Sequence, residues 1–332
     1  MRVGIVGAGW VTQYHLPAWR RLPDVEVVAI CDPDPAALAQ RADACAIPQR
    51  FAALHDMLDD AKLDALDIAS PRQFHAAHVR AGAARGLPLL CQKPLGVDLA
   101  QAEALVDEVA GHVPFMVHEN WRFRPYYREL KAWLDAGLVG DITAIRLDFH
   151  SSGMITGSDG QRPALVRQPF FRHEQRLLVM EVLIHHLDTL RFLFGDLDLG
   201  SAVLGRSNPD IIGEDSAILG LTRRSDGVPL QVSGNLAVHG APPAPTDQLW
   251  IWGAKGTIHL DGATLHLFGL EPRKIAFDPA SSYQAAYDGA IAHFVQRLAA
   301  RAPFETSATD NLDTLRLVEA AYRISGFQPV VV

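Results

Sequence analysis

Cysteine is scarce in this sequence: Cys31, Cys45 and Cys91 are the only three among 332 residues, and none forms a Cys-x-x-Cys pair. An odd, scattered set excludes a disulfide framework and a thiolate zinc cage, and it points to the reducing cytoplasm. Long apolar runs are missing too. No stretch reaches the roughly 18 to 20 residues that a membrane-spanning helix needs. The opening Met-Arg-Val-Gly-Ile-Val enters a strand pattern at once, with no charged leader region, so neither a membrane span nor a secretion signal is expected. Excess positive charge is also absent. With 30 Lys+Arg against 38 Asp+Glu the formal net charge is −8, which gives no long-range attraction for a phosphate backbone and argues against nucleic acid as a partner. At 48% hydrophobic and 20% charged residues the composition is that of an ordinary globular protein, neither disordered nor coiled coil. The length suggests two domains.

The first 120 residues alternate short apolar runs with helical patterns. The runs Val3–Val6, Val25–Cys31, Ala65–Ala69, Leu87–Cys91 and Phe115–Val117 are apolar almost throughout, as strands covered on both faces must be. The intervening stretches Val11–Arg21, Pro35–Ala44, Leu54–Asp59, Phe74–Arg85 and Leu99–Ala110 read as helices. This rhythm predicts a doubly wound parallel α/β sheet. After Arg122 it changes. A helix over Pro125–Ala136 and an alternating strand over Ile142–His150 come first, then a Gly/Ser/Pro-rich loop over Ser151–Pro169 and a long helix over Gln175–Phe194. Several strands separated by turns fill Ser201–Phe277, and helices over Tyr287–Ala300 and Asn311–Ser325 close the chain. Strands in succession favour a mostly antiparallel sheet. The expected domains are residues 1–121 and 122–332, with the second of α+β type.

Gly7 and Gly9 follow the first strand and take the first two places of Gly-x-Gly-x-x-Gly. The first glycine allows the tight turn. The second lets the N–H groups around Trp10 and Val11 approach a pyrophosphate at a helix N-terminus. Thr12 replaces the third glycine and is expected to loosen helix-to-strand packing. Asp32 ends the second strand twenty residues further on, where an acidic residue accepts hydrogen bonds from an adenine ribose. Its charge repels a 2′-phosphate and no Arg follows it at once, so NAD is expected rather than NADP.

Two further signals carry chemistry. The strand ending at Cys91 runs into Gln92-Lys93-Pro94, which aims Lys93 at the carboxyl edge of the sheet, where ligands bind. In the long helix, Glu181, His185 and Asp188 fall at i, i+4 and i+7 on one face. Ionisable groups on an otherwise apolar helix are costly unless paired or functional, and histidine suits proton exchange with a hydroxyl. A metal is the rival reading, with His186, His150 or His173 as further ligands. No His-Glu-x-x-His spacing occurs, however, and adjacent histidines on a helix point about 100° apart, so no metal is expected. Arg162, Arg167 and Arg172 flank a loop able to close over a substrate.

Together these pieces resemble the Gfo/Idh/MocA oxidoreductases. The resemblance runs from Val3–Gly9 with His15, through Ala65–His78, to Leu89–Leu95, which is similar to the family's Glu-Lys-Pro signature. It continues in Asn120–Pro125, Glu181–Asp188, Ile251–Ile258 and Leu317–Ser325. It implies a Rossmann domain followed by an α/β domain whose open sheet covers the nicotinamide side, and homodimers or homotetramers formed through that sheet's exposed face. It implies hydride transfer between NAD and a hydroxyl-bearing carbon of a sugar or polyol. Lys93 would bond the substrate hydroxyl and the nicotinamide ribose, His185 would be the general acid/base and Glu181 its assistant. Ser70, Pro71, His75 and Gln92 would flank the cofactor, and Asn120, Arg122 and His186 the substrate. Two residues depart from the pattern: Gln92 stands for the usual glutamate, and Glu181 for the usual aspartate. Members that hydrolyse glycosides through transient oxidation, and a nicotinamide-sensing protein without turnover, are the alternatives.

Overall fold

The apolar runs of the N-terminal third form the centre of a six-stranded parallel sheet in the computed structural model, which describes residues 1–330. Its strands are β1 (Arg2–Val6), β2 (Glu26–Cys31), β3 (Gln49–Phe51), β4 (Ala65–Ile68), β5 (Leu89–Gln92) and β6 (Phe115–His118), in the order β3-β2-β1-β4-β5-β6. Helices α1 (Thr12–Arg20), α2 (Pro35–Ala44), α3 (Leu54–Asp60), α4 (His75–Ala83) and α5 (Leu99–Val109) make the crossovers. Strand order reverses between β1 and β4, the switch point at which such sheets bind ligands. Strand β3 was not foreseen: Gln49-Arg50-Phe51 is a three-residue edge strand without an apolar run to announce it.

The second unit holds α6 (Pro125–Asp135), β7 (Ile142–His150), α7 (Pro163–Arg167) and α8 (Ile184–Phe194), then β8 (Leu197–Gly205), β9 (Ser216–Arg223) and β10 (Pro229–Asn235). Strands β11 (Thr246–Gly253), β12 (Gly256–Asp261), β13 (Thr264–Gly269) and β14 (Arg273–Ala276) complete it. They form one sheet, β14-β13-β12-β11-β7-β10-β9-β8, antiparallel except where β7 meets β10. Side chains alternate across it. Leu219, Val232, Leu249, Ile251, Ile258 and Leu265 are buried on one face. Val203, Ile218, Trp252 and Phe268 are exposed on the other, where the Trp250 ring also stacks on His259 at 3.6 Å.

Two helices end the described chain, α9 (Pro279–Ala300) and α10 (Ala308–Ser325). Residues Tyr283–Leu315 belong to the first unit together with Met1–Phe123, whereas Arg124–Ser282 and the residues from Arg316 onward make up the second. Tyr287, Ala290, Ile291 and Phe294 enter the same core as Ile5, Leu16 and Trp19. Thr306 accepts the Val117 N–H at 2.8 Å and donates its hydroxyl to the Val117 carbonyl at 2.7 Å. A single cut near residue 122 leaves out this return, because an amphipathic helix does not state in sequence which core it covers. No helix among the described residues is long and apolar enough to cross a membrane.

Within the second unit, a buried carboxylate ties α6, α8 and β11 together. Asp247 accepts the Tyr127 hydroxyl at 2.7 Å and His186 Nε2 at 2.8 Å, and Arg124 lies 3.5 Å away. Burial alone would raise its pKa. The charges and hydrogen bonds of His186, Arg124 and Tyr127 outweigh burial and hold it below the ordinary carboxylate value. A depressed folded pKa stabilises above the unfolded value of about 3.9, and that contribution fades as pH falls through the lower folded value. Asp247→Ala should therefore cost about 3 to 5 kcal/mol at neutral pH by stranding its partners. Urea titrations should show the difference from wild type shrinking as the pH is taken below 4.

Candidate active site

At the end of β1 the chain turns at Gly7, whose N–H donates to the Cys31 carbonyl at 2.8 Å. Gly7 has φ +102°, and a Cβ there would lie 2.8 Å from the Ala69 carbonyl oxygen, so only glycine fits. Gly9 is the opposite case: a Cβ there would meet nothing within 4 Å. Among the described residues no backbone or side-chain group accepts from the N–H of Gly9, Trp10 or Val11. Three bare donors at a helix start, over open space, suit a pyrophosphate. Thr12 was expected to loosen helix-to-strand packing. It is fully buried, and its hydroxyl closes the turn on the Gly9 carbonyl at 2.6 Å.

Asp32 is built into the same turn. Its Oδ2 accepts the Ala8 N–H at 2.7 Å and its Oδ1 accepts Asp34 N–H at 2.8 Å. A carboxylate oxygen has a second lone pair, so both remain able to receive ribose hydroxyls. The open cradle, the bare N–H groups and the anchored acid fit a dinucleotide.

Ser70 and Pro71 follow β4 directly, on the side where Gly7 presses against the Ala69–Ser70 peptide. His75 was expected to touch the cofactor, but its ring is buried, with Nδ1 on the Pro94 carbonyl and Nε2 on the Ser70 carbonyl, both at 2.8 Å. It braces the loop after β4 against the loop after β5. Gln92, expected beside the cofactor, is also turned inward: its Nε2 donates to His15 Nε2 at 2.6 Å and to His118 Nδ1 at 3.1 Å. Asp67 accepts His15 Nδ1–H at 2.8 Å and Trp19 Nε1–H at 2.7 Å on the far side. Lys93, the next residue, is half-buried at the carboxyl end of β5. The sequence reading missed this cluster, although a charged Asp67 inside the run Ala-Leu-Asp-Ile was a usable signal.

Asn120 and Arg122 are buried in the first unit. Arg122 donates to the Glu305 carbonyl at 2.9 Å and pairs with Asp310 at 3.3 Å. Its guanidinium therefore ties the strand-end segment to the returning chain, which accounts for its burial without a substrate.

In the second unit the expected continuous helix over Gln175–Phe194 is replaced by a wide π turn, Leu178–Leu183, followed by α8. Glu181 lies in the π turn and His185 in the first turn of α8; both are half-buried. Regular α spacing therefore does not relate them, because a π turn adds a residue to each circuit. Asp188 is fully buried and does not share their exposure. His186, expected as a substrate contact, is likewise fully buried, bonded to Asp247 and edge-on to Phe149 at 4.5 Å. Arg162 pairs with Asp210 and donates to the Met154 carbonyl at 3.0 Å, which holds it in the loop rather than free to close. Among the described residues no group of three or more His, Cys, Asp or Glu could hold a metal ion.

Residues 1–117 match the GFO_IDH_MocA oxidoreductase family with an NAD-binding Rossmann fold, and residues 127–259 match the GFO/IDH/MocA C-terminal domain. The chain belongs to the GFO/IDH/MocA oxidoreductases. As a member it is an NAD-dependent oxidoreductase. A D-apiose dehydrogenase from Paraburkholderia graminis is 33% identical, covering 96% of this chain and 86% of its own. Its counterpart from Rhizobium rhizogenes is 30% identical over 97% of this chain and 94% of its own. An oxidoreductase from Agrobacterium radiobacter, crystallised with NAD+, L-tartaric acid and magnesium, is 30% identical. It superimposes with a TM-score of 0.89, covering 98% of this chain and 96% of its own.

The two glycines of the NAD turn separate folding from binding. Gly9→Val should fold and melt like wild type yet lose at least about 100-fold in NAD affinity, since its branched side chain fills the pyrophosphate cradle. Gly7→Val should instead lower the melting temperature, through positive φ and the clash with Ala69. Calorimetric titration and thermal melts check both.

Proposed function

We propose that this oxidoreductase carries out reversible hydride transfer between NAD and a hydroxyl-bearing carbon of a sugar or polyol. NAD, when bound, takes up or returns the hydride. Lys93 stabilises the substrate oxygen as negative charge develops on it, a contribution of about 3 kcal/mol for a donor in a water-excluded site. His185 takes the hydroxyl proton, and Glu181 assists by favouring the imidazolium that forms. The observation that carries this reading is the position of Lys93. A half-buried ammonium follows immediately on a fully buried strand, at the sheet edge where a doubly wound fold binds ligands. The substrate class draws on the two relatives named D-apiose dehydrogenase, at 33% and 30% identity.

Assembly and location belong to the same proposal. The exposed sheet face with Val203, Ile218, Trp252 and Phe268 would join copies into a homodimer or homotetramer. Light scattering of Ile218→Asp as a monomer would support it, and an unchanged mass would not. The free cysteines suit the cytoplasm: Cys31 and Cys91 are buried, and burial with the nearby Asp32 pushes the Cys31 thiol up to about 12.

Nicotinamide absorbance during incubation with D-apiose, other aldoses and polyols tests the activity. Reduction is expected with one substrate class. Lys93→Ala and His185→Ala should each lower kcat about 100-fold or more while NAD still binds. No reduction with any substrate would overturn the reading, and glycoside cleavage without net reduction would replace it with a hydrolase.

A further inference from the structure

The helical segment carrying Glu181 and His185 begins with Arg176-Leu177-Leu178-Val179-Met180, which contains no Ser, Thr, Asp or Asn to cap it. Its first internal bond runs from Glu181 N–H to the Leu177 carbonyl at 2.8 Å. Four N–H groups therefore precede the ladder, as at any helix start, and here they lie in the interior: Leu177, Leu178, Val179 and Met180 are all buried. Each of the four ends on Glu214 or on its partner Tyr322. Leu177 N–H donates to Glu214 Oε2 at 3.2 Å, and Val179 N–H to Oε1 at 2.9 Å. Leu178 N–H donates to the Glu214 carbonyl at 3.2 Å, and Met180 N–H to the Tyr322 hydroxyl at 3.3 Å. The Tyr322 hydroxyl in turn donates to Glu214 Oε1 at 2.5 Å.

We propose that Glu214, with Tyr322 behind it, is the positioning residue for Glu181 and His185, acting as a cap supplied from the loop before β9 to a segment that has none of its own. This rests on the reading of His185 as the acid/base. Glu214 is fully buried, and a buried carboxylate is costly unless its bonds are all used. Burial raises its pKa, and the hydrogen bonds from Tyr322, Val179 and Leu177 oppose that shift. Because the π turn is held at its start and passes directly into α8, releasing the cap lets the turn relax to regular α spacing. That relaxation rotates Glu181 relative to His185. Arg176 stacks over the Tyr322 ring at 4.7 Å and pairs with Glu319 at 2.7 Å, which fixes the tyrosine in turn.

The test uses the full chain and two variants. Glu214→Gln keeps the volume but sets an amide N–H₂ against one of the donors, and Tyr322→Phe removes one acceptor and leaves the ring. Amide hydrogen exchange at residues 178–181 should quicken at least tenfold in Glu214→Gln and a few-fold in Tyr322→Phe. In the same order kcat should fall about tenfold and a few-fold, with NAD affinity unchanged and Glu214→Asp restoring part of the loss. Unchanged exchange at these amides in a folded variant overturns the proposal, as does faster exchange with unaltered kcat. If Glu214→Gln does not fold, Tyr322→Phe decides by the same two readings. A wild-type chain inactive on every substrate would mean that the functional reading has failed. The exchange rates and the His185 ring resonances would then still decide the cap.

Discussion

Backbone N–H groups that neither helix nor sheet can satisfy are the constraint around which both units are arranged. A buried donor without an acceptor costs about 1 to 3 kcal/mol, so each surplus donor has to be met by the chain or offered to a ligand. At the β1 turn the Ala8 donor is taken by Asp32, whereas those of Gly9, Trp10 and Val11 are left facing open space. At the start of the π turn all four are taken, by Glu214 and Tyr322. The same chemistry leaves donors open in one unit and closes them in the other.

Carboxylates answer this constraint at Asp32 and Glu214, and at Asp67 and Asp247 they tie side chains together in the same way. Asp32, Asp67, Glu214 and Asp247 each gather donors from separate elements, and the last three are fully or nearly fully buried. Their partners include the rings of His15, His186, Tyr127 and Tyr322, so hydrogen bonds satisfy them as much as cations do. Such networks fix the strand ends and helix starts that carry Lys93, Glu181 and His185.

Much of the first unit was legible because its signals are local. Apolar runs mark doubly covered strands, Gly7-x-Gly9 marks the turn, and the spacing picks out Asp32, which is anchored in that turn. Asp34 capping α2 with Pro35 at its first position illustrates how closely a boundary can be read. What escaped was tertiary in origin. Strand β3 exists because an edge was available, not because Gln-Arg-Phe demands it. The return of residues 283–315 to the first core depends on which unit offers a matching face. The π turn was hidden because periodicity cannot distinguish a helix with one inserted residue from a regular one. The burial of His186 followed from a partner on a distant strand, Asp247, whereas Glu181 and His185, four residues apart, kept their exposure.

In the proposed reading Asp32 receives the adenine ribose hydroxyls. Calorimetric titration of the wild-type chain with NAD+ and, separately, NADP+ tests it. The anchored carboxylate should repel a 2′-phosphate, so NAD+ should bind at least about tenfold tighter, equivalent to about 1.4 kcal/mol. Equal affinity, or a preference for NADP+, would contradict the reading of the turn.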